Sequence, residues 1–71
     1  MGEKELKELG KVIRSKRELQ GLTQFDLAKK SGLDRNYVGM VERGERNPSY
    51  ISLYRIARGL GLTVGEMIRP L

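Results

Sequence analysis

Residues 23–49 read TQFDLAKKSGLDRNYVGMVERGERNPS, and their order predicts two short helices separated by a tight turn. Thr23 can cap a helix through its hydroxyl, and Asp26 three residues on completes a capping box. Leu27 and Ala28 then point inward. Lys29 and Lys30 fall near the carbonyl end, where the helix dipole favours cations. Gly32 allows a left-handed residue and a sharp turn. Asp34 caps the next helix, which runs to about Arg43 with Gly44 as its stop.

On the N-terminal side, about Glu3 to Gln20 places Leu6, Leu9 and Ile13 at spacings of three and four, one helical face. Gly21 closes that helix as its C′ residue. Arg17 continues the same stripe one turn later, a charge on an apolar face. On the C-terminal side, Glu45 to Pro48 reads as an irregular loop and Ser49 as a cap. Leu53, Ile56, Ala57 and Leu60 follow at i, i+3, i+4 and i+7, the clearest amphipathic stripe in the chain. Gly61 ends it. Thr63 and Glu66 form a second capping box and open a short fifth helix carrying Val64, Met67 and Ile68, which Pro70 terminates. Five helices and no strand pattern predict an all-α fold, one compact domain over residues 1–71.

Composition narrows the function. The chain has 71 residues with neither Cys nor His, so no disulfide or Cys/His metal site staples it and packing must supply the stability. The commonest general base and the best nucleophile are both missing. No catalytic set converges elsewhere, so the expectation is a non-enzyme with no metal, no cofactor and no small-molecule ligand. The longest apolar run is two residues, which predicts no membrane span and no signal-peptide core. The lack of cysteine fits a reducing compartment, and the expected place is the cytoplasm, at the nucleoid. An excess of 14 Lys+Arg over 9 Asp+Glu, net +5, points to a polyanionic partner.

A helix pair meeting steeply across a short Gly-containing turn is the helix-turn-helix arrangement. In the third helix Val38, Val41 and Glu42 share one side, while Arg35, Asn36, Gly39, Met40 and Arg43 share the other. The apolar pair must face the core, so the second set faces solvent and suits a major groove. Arg pairs bidentately with guanine and Asn with adenine, and Gly lets the backbone approach closely.

Thr23-Gln24, Leu27-Ala28, Gly32, Glu42-Arg43-Gly44, Asn47-Pro48-Ser49 and Ile56-Ala57 together resemble the lambda-repressor and Cro-type helix-turn-helix family, the Xre-like regulators. The resemblance covers about Val12 to Leu60. The compact form is similar to restriction-modification controller proteins and almost as similar to small phage repressors. The resemblance implies a five-helical repressor-like fold, operator DNA bound as a dimer, and a third helix that reads bases. It implies base contacts from Arg35, Asn36 and Met40, with Met40 limited to apolar contact such as a thymine methyl. It also implies that Gln24 touches phosphate or a base edge from the start of the second helix, where free N–H groups attract phosphate. Tyr37, Arg43, Arg46 and Asn47 are the remaining expected phosphate contacts, which position the protein without reading sequence.

Arg17 needs a desolvated partner on its apolar face, and Glu42 faces inward from the third helix. The resemblance places a buried Arg–Glu pair at these two positions, a structural link between the first helix and the recognition helix. Residues 33–48 hold Arg35, Arg43 and Arg46 against Asp34, Glu42 and Glu45, so the reading face is balanced and the positive excess lies on its flanks. The leading expectation is a sequence-specific transcriptional regulator that pairs as a homodimer on a palindromic operator in double-stranded DNA. The alternative is a protein-interaction module, an adaptor or antitoxin-type subunit on the same fold. Val64, Met67 and Ile68, on a helix too short to stand alone, are the expected dimer interface.

Overall fold

The computed structural model describes residues 2–71, and its helix boundaries follow local hydrogen bonding. Five helices run in order: α1 Glu3–Leu19, α2 Gln24–Ser31, α3 Arg35–Glu42, α4 Tyr50–Gly59 and α5 Val64–Ile68. No strand occurs among the described residues. Both capping boxes form. The Thr23 N–H donates to the Asp26 carboxylate at 2.9 Å, and the Asp26 N–H donates to the Thr23 hydroxyl at 3.0 Å. Thr63 and Glu66 repeat the exchange at 2.9 and 3.0 Å. Asp34 accepts from the Asn36 N–H, and Ser49 accepts from the Ser52 N–H.

The turn between α2 and α3 depends on Gly32, whose φ of +67° lies in the left-handed region. That reversal lets the Leu33 N–H reach back to the Ala28 carbonyl at 3.0 Å, closing α2 before α3 begins at Arg35. Gly44 closes α3 in the same way, with φ +76° and the Glu45 N–H on the Met40 carbonyl at 2.9 Å.

One core gathers side chains from every helix: Leu9 and Ile13, Leu27 and Ala28, Val38 and Val41, Ile56, Ala57 and Leu60, and Met67. Helix α2 lies between α3 and α4, α1 crosses α3, and α5 closes the end of α1 and α4. The α1–α3 crossing is unusually close. A Cβ at Gly10 would sit 2.6 Å from the Val41 carbonyl oxygen and would also collide with the Glu42 backbone. Only glycine lets α1 approach the C-terminal turn of α3 this closely. At the α2–α4 crossing the buried Ser31 hydroxyl faces Gly59 and has no hydrogen-bond partner among the described residues.

Candidate nucleic-acid interface

Helix α3 is fixed from below by charge as well as by packing. Arg17 is 8 % exposed and Glu42 7 %, and the two meet fork to fork. Arg17 Nε donates to Glu42 Oε2 at 2.7 Å and Nη2 donates to Oε1 at 3.0 Å. The remaining terminal nitrogen, Nη1, donates to the Leu22 carbonyl at 2.7 Å. This hydrogen bonding to Glu42 raises the already high pKa of Arg17, against the opposing effect of burial. Glu42 Oε1 also accepts from the Gln24 side-chain amide at 3.1 Å. One carboxylate thus ties together α1, α2 and α3.

That last bond joins side chains 18 positions apart in the chain. Gln24, expected as a phosphate contact, uses part of its amide to hold α2 against α3. Its only signal in the sequence was an inward acid with spare acceptor capacity.

The outward side of α3 carries Arg35 and Asn36, both exposed, and half-buried Met40. Tyr37 is half-buried and packs against the core edge. Gly39 corrects the sequence reading. It is buried, because the flank of α3 at this position faces α2 and not solvent. A Cβ here would lie 3.1 Å from an Arg43 guanidinium nitrogen and 3.3 Å from Gln24 Oε1. These two side chains cover Gly39, so its backbone is not open to solvent as the third-helix pattern implied.

After α3, Arg43, Arg46 and Asn47 are exposed, and Pro48 turns the loop inward. Arg43 is chelated by Glu45, with Nε to Oε2 at 3.0 Å and Nη2 to Oε1 at 3.2 Å. The pairing raises the Arg43 pKa and lowers that of Glu45. The Glu45 carboxylate therefore occupies the edge of the Arg43 guanidinium that would otherwise be open to another anion.

The fifth helix divides differently from expectation. Met67 is 0 % exposed and lies inside the chain's own core, so it cannot also form a contact surface between copies. This corrects its assignment to the interface. Val64 and Ile68 remain half-buried at the edge. Val64 borders a surface groove shared with Tyr50, Tyr54, Arg58, Leu62 and Glu66. Here the Tyr50 and Tyr54 rings lie 6.5 Å apart, and the Arg58 guanidinium stands 5.9 Å over the Tyr54 ring. Tyr50, Tyr54 and Arg58 are spaced i, i+4, i+8 and form the exposed outer face of α4, opposite its apolar stripe.

Comparison with known proteins agrees with this geometry. A family model described as Helix-turn-helix matches residues 13–67. Control protein C.SmaI of Serratia marcescens is 40 % identical over 60 residues, covering 84 % of this chain and 71 % of its own. The crystal structure of the restriction-modification controller protein C.AhdI from Aeromonas hydrophila superposes with a TM-score of 0.88 at 42 % identity, covering 90 % of this chain and 97 % of that one. The restriction-modification controller protein C.Esp1396I, crystallised as a tetramer with its natural 35 base-pair operator, matches with a TM-score of 0.85 at 38 % identity, covering 92 % and 86 % of the two chains.

Proposed function

The chain belongs to the helix-turn-helix family, and from that premise we propose that it is a sequence-specific transcriptional regulator binding a palindromic operator as a homodimer. The observation that carries this reading is the presentation of Arg35 and Asn36. Both project from the first turn of α3, a helix locked in place by the Arg17–Glu42 fork. The N-terminal residues of a recognition helix are those that meet base edges. Asn36 and Arg35 have the chemistry for adenine and guanine. Met40 adds an apolar contact beside them. Gln24, Tyr37, Arg43, Arg46 and Asn47 ring this face and supply the phosphate contacts that fix the register.

The whole of residues 1–71 acts as one DNA-binding unit, in the cytoplasm and at the nucleoid. Its role is to bind and not to catalyse, with no cofactor. One copy reads too few base pairs to find a site in a genome, so a two-fold pair is required, with recognition helices about 34 Å apart. Val64 and Ile68 remain in this interface, joined by Tyr50 and Tyr54. That C.Esp1396I is a tetramer on its operator supports binding as an assembly. Selection of binding sites from random duplex DNA tests the proposal. The expected product is an inverted repeat; recovery of unrelated sequences at equal affinity would reject it.

A further inference from the structure

An exposed phenylalanine lies on the face assigned to DNA, outside the hydrophobic core and the residues packed against it. Phe25 is 58 % exposed at the second position of α2. It lines one surface groove with Leu22, Thr23, Gln24, Arg17 and Arg35. Two of these residues define what the groove faces. Arg35 opens the recognition helix, and Gln24 opens α2 with free backbone N–H groups. The wall is therefore polar and cationic except for Leu22 and Phe25. In the major groove the one apolar group on a base edge is the C5 methyl of thymine, and phenylalanine is among the side chains that pack on it.

We propose that Phe25 is a specificity-determining residue that covers a thymine methyl next to the base pair read by Arg35. The inference rests on the DNA-binding reading above and deepens it. Each half-site then contains a thymine adjacent to the purine held by Arg35. The pair of residues reads that step by two chemistries, hydrogen bonding and apolar contact. Because Phe25 is exposed and outside the core, its removal leaves the fold intact.

The test uses the full chain and a duplex carrying the selected operator, with each thymine replaced in turn by deoxyuridine. That change deletes only the C5 methyl. Wild type is expected to lose about fourfold in affinity at one symmetric position per half-site, the worth of one buried methyl group. Phe25→Ala, checked by circular dichroism, is expected to bind the thymine operator more weakly and to be indifferent to deoxyuridine at that position. Phe25→Leu should keep part of the sensitivity. If Phe25→Ala retains the full deoxyuridine penalty, or if wild type has no sensitive thymine, the proposal is overturned. It is equally overturned if Phe25→Ala changes only the number of copies assembled on the operator, which would make the residue a protein contact. Failure of the regulatory reading looks different: wild type would show no preference for the operator over random duplex.

Discussion

At the scale of single residues, reading and holding are separable. Arg35 is exposed and pairs with no carboxylate among the described residues, which suits the bidentate base contact proposed for it. Arg35→Ala should weaken operator binding by about 1–3 kcal/mol and relax preference at one base position. Binding curves on operator variants check this; an equal loss on random DNA would assign Arg35 to phosphate instead. Arg46 is exposed in the loop beyond α3, where the proposed contacts go to phosphate and position without reading. Arg46→Ala should weaken binding to all sequences alike and make the log–log salt dependence shallower by about one unit. A salt titration with an unchanged slope would remove Arg46 from the interface.

At the scale of helices, two devices hold the recognition helix, and they fail differently. The Arg17–Glu42 fork is buried, so Arg17→Met should destabilise the fold by about 3–5 kcal/mol by leaving a carboxylate unpaired. Adding Glu42→Leu to that variant should recover most of the loss, because two apolar side chains replace two desolvated charges. Urea denaturation of the single and double variants decides it. If the double variant is as unstable as the single, the fork stabilises beyond its own desolvation.

The second device is the closeness of α1 to α3. Alanine is favoured over glycine inside a helix by about 1 kcal/mol. At Gly10, however, a methyl group meets carbonyl backbone that cannot swing aside. Overpacking of about 1–3 kcal/mol or more therefore wins, and Gly10→Ala should lower the melting temperature. Gly65→Ala is the control, since its nearest neighbour is the Thr63 hydroxyl at 3.9 Å. It should be neutral or slightly stabilising.

At the scale of the whole molecule, the proposed function gives the surface two working faces. One is the α2–α3 face, proposed to meet DNA. The other is the aromatic groove of α4 and α5, where Tyr54 and Val64 are accessible and Met67 is not. Tyr54→Glu combined with Val64→Glu should therefore leave the monomer folded and prevent pairing. Sedimentation should show a single copy, circular dichroism an intact helical spectrum, and operator affinity should fall steeply. Met67→Glu should instead unfold the monomer, because it buries a carboxylate with no partner. A double variant that remains dimeric would place the interface on another face.

What could be read from the chain divides along a physical line. Caps, turns and apolar stripes depend on residues a few positions from one another, so the Leu6, Leu9 and Ile13 stripe, Thr23, Gly32, Asp34, Ser49, the Leu53 to Leu60 stripe and Thr63 located all five helices. The Arg17–Glu42 pair was legible because a charge on an apolar stripe demands an opposite charge. Resemblance to a known pattern of residues narrowed that partner and most of the DNA-facing set. The tertiary structure decided what depends on how helices are rotated and spaced against one another. Gly39 sits on a flank of α3 whose neighbour is α2, which no spacing within α3 reveals. Met67 lies deep and Val64 shallow on the same short helix because α5 docks with one edge toward α1 and α4. Gly10 differs from an ordinary helical residue only through the backbone it touches, 31 positions further along the chain at Val41. Periodicity fixes which side of a helix is apolar; only the packed neighbours determine how far round that side the burial extends.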